Sequence, residues 1–87
     1  MFYVYVLRCM DGSLYTGITT DVERRFRQHR GELPGGAKYT RSHPPTGIEA
    51  VFPCENRSEA LKLERRIKAM PKEEKEKTIR NTDNTPK

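Results

Sequence analysis

Apolar and aromatic side chains run almost without break through Phe2, Tyr3, Val4, Tyr5, Val6 and Leu7. Such a run, rich in aromatic and β-branched residues, predicts a strand over 2–9 that is covered on both faces. Asp11-Gly12 follows as a hairpin signal, and Leu14 to Thr19 reads as the returning strand over 14–19. Gly17 inside that strand predicts a bulge or a point where another group closely approaches the backbone. The period then changes. Val22 and Phe26 are four apart, the spacing of one helix face, behind Thr20 and Glu23, which fit a capping box, and Asp21, which suits the helix dipole. Arg25 and His29 flank that face, whereas Arg24, Arg27 and Arg30 point elsewhere.

Residues 31–47 are rich in Gly and Pro, too long for a plain connection and of the kind that carries function. Lys38, Arg41 and His43 surround Tyr39 there, a mixture that suits phosphate contact and base stacking, or equally an ordinary solvated loop. A third strand is predicted over 48–54, with Pro53 ending it or placing it on an edge. Asn56 or Ser58 caps a second helix whose apolar positions are Ala60, Leu63, Ile67 and Met70. Pro71 ends it or opens a third helix over about 71–80. The fold class is therefore α+β, a small three-stranded antiparallel sheet flanked by helices in the order ββαβα(α). Residues 1–80 form a single domain and residues 81–87 a disordered tail.

Composition narrows the partners. The 87 residues carry a formal net charge of +5, and 33% are charged, which suits a polyanion such as nucleic acid. Cys9 and Cys54 form no C-x-x-C pair, so small buried thiols fit better than a zinc site, with a disulfide left open. No long apolar run and no export signal stand in the sequence, so a cytoplasmic location without membrane contact is expected.

One residue breaks the pattern. Glu64 lies between Ala60 and Ile67 on the inward stripe of its helix. A carboxylate there must be ion-paired, reach the edge or ligate a metal, because burying it alone is costly. Taken singly, Tyr5 and Tyr15 read as strand packing residues, and His29 as a structural histidine.

Together these residues carry a resemblance. Tyr3-Val4-Tyr5, then Tyr15-Thr16-Gly17, then Arg25 ten residues after Tyr15, resemble in order and spacing the start of a GIY-YIG nuclease domain. The small stand-alone YhbQ-like branch is similar over about residues 2–80, including the run Ala37-Lys38-Tyr39-Thr40-Arg41. The resemblance implies a metal-dependent endonuclease acting on DNA, or RNA, with a non-catalytic nucleic-acid-binding module as the alternative. It implies Tyr5 as the base, Tyr15 as its assistant, Arg25 on the phosphate and His29 as a site position four beyond the arginine. Glu64 matches the helix glutamate that holds Mg²⁺ or Mn²⁺, and no small-molecule cofactor is implied. Lys38, Arg41, Lys62, Arg65 and Lys68 are the expected nucleic-acid contacts. The chain departs from the family pattern in reading YVY for GIY and YTG for YIG. It also has Ile18-Thr19 where some members carry a lysine, and no asparagine in the Lys/Glu-rich stretch before Asn81.

Overall fold

A computed structural model describes residues 1–81. The tail expected over 81–87 lies, beyond Asn81, outside the described residues. The elements are β1 (Phe2–Cys9), β2 (Leu14–Thr19), α1 (Val22–His29), α2 (Lys38–Ser42), β3 (Pro45–Cys54), α3 (Arg57–Lys68) and α4 (Lys72–Asn81). The strands form one antiparallel sheet in the order β2-β1-β3. The expected three-stranded α+β architecture is thus present, with β1 central and Val4 to Leu7 all buried. No helix among the described residues is long and apolar enough to cross a membrane.

Alternation divides β1 between two faces. Val4 and Val6 join Ala50 of β3 and Ala60 and Ile67 of α3 in the apolar core, with Ile18, Phe52, Leu63, Met70 and Ile79 packed around it. Tyr5 and Leu7 fall on the other face, where Tyr5 meets His29 of α1. Arg8 ties α4 to the sheet: its Nε bonds Glu49 at 3.0 Å, and its Nη1 and Nη2 bond the two Glu76 oxygens at 2.6 and 2.7 Å. The hairpin between β1 and β2 turns on Gly12, at φ +87, while the Asp11 carboxylate accepts from the Ser13 amide at 3.0 Å.

Three expectations change. The cap of α1 is Asp21, whose carboxylate accepts from the Arg24 amide at 3.1 Å; Thr20 stays outside and exposed. An ionised cap answers both the orphan amide and the helix dipole, which a hydroxyl does less well. Residues 38–42 of the expected loop form α2, a helix too short to show periodicity and held by tertiary bonds. The third strand begins at Pro45 rather than 48, because β1 offers pairing partners up to Cys9 across two register shifts. Pro53 does lie on an edge strand, where its missing N–H leaves no ladder bond unmade. Asn56 caps α3, accepting from the Glu59 amide at 2.9 Å. Cys9 is buried, Cys54 partly so, and both are free thiols.

Candidate active site

The site is built on the pairing of Tyr5 with Gly17, directly opposite each other on β1 and β2. A Cβ on Gly17 would lie 2.5 Å from the Tyr5 hydroxyl and 2.7 Å from its ring carbon. Only glycine lets the Tyr5 ring lie across the neighbouring strand, so the expected close approach to this backbone is the Tyr5 side chain itself. Tyr15, two residues earlier on the same face, packs at 6.4 Å between ring centroids from Tyr5.

His29, at the end of α1, closes the cluster. Its ring centroid is 5.0 Å from Tyr15 and 5.8 Å from Tyr5, and it is only 3% exposed. Val22 and Phe26, the expected buried face, are only partly covered, because this side of the sheet meets α1 with aromatic rings rather than aliphatic core. Tyr5 Oη and His29 Nε2 are 2.8 Å apart, and His29 Nδ1 lies 2.8 Å from Thr40 Oγ1 on α2.

The electrostatics keep both ends of the Tyr5–His29 bond neutral near pH 7. Burial pushes the Tyr5 phenol up to about 12, against the pull of the Arg25 guanidinium, with Tyr15 and more weakly Glu64 adding to the rise. Burial, and then the Arg25 charge, bring the His29 imidazole down to about 4. Tyr5 is therefore a phenol, and of the two neutral histidine tautomers only the one with a bare Nε2 accepts its proton.

Arg25 is held in place by the glycine-rich segment. Its Nη1 donates to Gln28 Oε1 at 2.8 Å and to the Gly35 carbonyl at 2.7 Å. Gly35 has φ +104, and a Cβ on Gly36 would meet the Gln28 carbonyl oxygen at 2.5 Å, so this stretch lies flat against α1 because it has no side chains.

Tyr5, Tyr15, His29 and Arg25 thus come together. Glu64 is joined to them by its charge at Tyr5 and not by a hydrogen bond among the described residues. Its side chain is 18% exposed and pairs with Lys68 at 3.2 Å. Among the described residues no ion pair links Arg25 to Glu64, and no three His, Cys, Asp or Glu residues cluster as a metal cage. The basic residues do not gather on one element. Lys38 and Arg41 stand exposed on α2, and Lys62, Arg65 and Lys68 on α3. Arg41 borders a cleft with His29, Gly36 and Thr40, whereas Lys62 borders a different one with Cys54 and Arg66.

Tyr39 does not offer a free stacking face as its setting in the sequence suggests. Its ring stacks on His43 at 4.1 Å and on Tyr15 at 5.7 Å, and its hydroxyl donates to Ser13 Oγ at 2.6 Å. It is a strut that fastens α2 to the hairpin. Sequence reasoning missed Thr40, Gly36 and Arg8. Arg8 had a signal, a charge within an apolar strand; Thr40 had none beyond its place in the run shared with the YhbQ-like branch.

The family model described as the GIY-YIG catalytic domain matches residues 1–81. A UPF0213 protein of Fusobacterium nucleatum is 46% identical over 82 residues, covering 94% of this chain and 80% of that one. A UPF0213 protein of Oceanobacillus iheyensis is 49% identical over 77 residues, covering 88% and 87%. The solution NMR structure of a UPF0213 protein from Bacillus halodurans superposes with a TM-score of 0.61 at 39% identity, covering 99% of this chain and 89% of that one. With the two tyrosine motifs on neighbouring strands, the glycine beneath the first tyrosine and the helix arginine beside it, the chain belongs to the GIY-YIG catalytic-domain family.

Proposed function

We propose that this chain is a divalent-metal-dependent endonuclease that hydrolyses phosphodiester bonds in DNA. The observation that carries the reading is the 2.8 Å bond between the Tyr5 hydroxyl and a buried, neutral His29. A phenol with a pKa of about 12 is a poor base on its own at pH 7. Bonded to His29, Tyr5 takes a proton from an attacking water while handing its own to Nε2, so no free phenolate has to form first. The Arg25 charge is one of the two causes that hold His29 neutral, and a phosphate anion paired with Arg25 offsets it, so the ring accepts the proton more readily with substrate bound. The Arg25 guanidinium, beside Tyr5, offers its charge to the phosphate oxygens, where negative charge builds up in the transition state. Tyr15 packs against both rings and holds them in register.

The residues present fit a hydrated divalent ion. Mg²⁺ keeps several waters and needs only one or two carboxylates, which suits a single, slightly exposed Glu64 and not an all-protein cage. When bound there, the ion supplies positive charge to the leaving oxygen. Lys38, Arg41, Lys62, Arg65 and Lys68 hold the polyanion by charge. Lys68 on Glu64 favours the second reading, a nucleic-acid-binding module without catalysis, because an ammonium neutralises the carboxylate a metal needs. Cleavage of supercoiled plasmid and branched DNA with Mg²⁺ or Mn²⁺ separates the two. Wild type should cut and Glu64→Gln should not, while both bind; wild type that binds without cutting at any metal concentration leaves only the module.

A further inference from the structure

The hydrogen-bond geometry around His29 bears on where its single proton sits. Thr40 is 1% exposed, and its hydroxyl has two neighbours: the Ala37 carbonyl oxygen at 3.0 Å and His29 Nδ1 at 2.8 Å. A hydroxyl has one proton, and a carbonyl oxygen can only accept. With that proton given to Ala37, the Thr40 oxygen can only accept from Nδ1–H. A neutral ring with its proton on Nδ1 has a bare Nε2, and Nε2 is the atom 2.8 Å from the Tyr5 hydroxyl. The chain Tyr5 O–H to Nε2, Nδ1–H to Thr40, Thr40 O–H to Ala37 then has every proton directed one way, with no donor facing a donor.

We propose that Thr40 is a positioning residue that fixes the Nδ1–H tautomer of His29 and so makes Nε2 the acceptor of the Tyr5 proton. The role falls to α2, a five-residue helix inside the Gly/Pro-rich stretch, which the Tyr39 strut fastens to the hairpin. Thr40 acts through His29. Its consequence for cleavage rests on the nuclease reading, whereas the tautomer itself does not.

The test is ¹⁵N–¹H correlation NMR of the His29 ring near pH 7, in wild type, Thr40→Val and Thr40→Ser, beside cleavage kinetics. Wild type and Thr40→Ser should show the Nδ1–H tautomer. Thr40→Val keeps the shape but removes the acceptor, leaving a buried Nδ1–H unpaired, so the proton should move to Nε2. In cleavage, Thr40→Val should lose on the order of 10²-fold in kcat with little change in KM, and Thr40→Ser should recover it. A wild-type ring protonated on Nε2, or a Thr40→Val ring that keeps its proton on Nδ1, overturns the proposal even if wild type cuts DNA. The expected tautomers with no cleavage by any form uphold the role of Thr40 and refute the nuclease reading instead. Should Thr40→Val not fold, the wild-type and Thr40→Ser spectra still decide, since either ring protonated on Nε2 refutes it.

Discussion

At the scale of single residues, the site depends on an absence. Gly17 has no side chain where Tyr5 must pass, and Tyr5 is 1% exposed with no room to swing aside. Gly17→Ala should therefore cost about 1–3 kcal/mol by overpacking and break the Tyr5–His29 bond, seen as a lower melting temperature with a perturbed His29 ring spectrum. His29 also makes stability depend on pH. Its folded pKa of about 4 lies below the ordinary 6.5, so the unfolded chain takes up the proton first. The His29 contribution to stability should fall as pH drops from about 6.5 to about 4 and level off below, by on the order of 3 kcal/mol. Melts of His29→Gln against wild type across that range should show this slope lost in the variant; parallel curves would mean that the ring is not held neutral. Arg25 and Glu64 are not partners, so Arg25→Ala should strand no buried charge and should cost well under the roughly 3–5 kcal/mol of a broken buried ion pair.

At the scale of elements, the strands and the last two helices were legible in the sequence because their signals are local. The hydrophobic run of β1, the turn at Gly12, the asparagine cap of α3 and the spacing of Ala60 and Ile67 all act within a few residues of where they are read. What was not legible depends on contacts between distant segments. Five residues of α2 have no period to detect, and Thr40 gains its meaning from a histidine 11 positions away. Tyr39 looked like a free platform because sequence cannot show that His43 and Tyr15 already stack on it. Tyr5, Tyr15, Arg25, His29 and Glu64 were expected from the resemblance, and the geometry adds what spacing could not: which of them lie together. The Gly35-Gly36 stretch makes its own forecast. Gly36→Ala places a Cβ against the Gln28 backbone, which cannot move cheaply, and should detach the segment from α1. The Arg25 side chain should then lose its Gly35 anchor, measurable as faster amide exchange over residues 31–36.

At the scale of the whole molecule, a net charge of +5, with the five expected contact residues on α2 and α3, makes the proposed nucleic-acid binding a matter of counterion release. Affinity for duplex DNA should fall steeply and log-linearly with salt. Removing Lys38 and Arg41 together should lower the slope by about 2, without altering sequence preference. Binding that is insensitive to salt would remove both the nuclease and the binding-module readings. Catalysis is a narrower claim, and one oxygen atom isolates it. Tyr5→Phe keeps the ring over Gly17 and deletes only the hydroxyl bonded to His29. With Mg²⁺ or Mn²⁺ present, cleavage by this variant should fall by on the order of 10²–10⁴-fold while DNA binding stays at the wild-type level and the fold remains intact. Cleavage by Tyr5→Phe at the wild-type rate would contradict the account, because the Tyr5–His29 pair would then take no part in moving the proton.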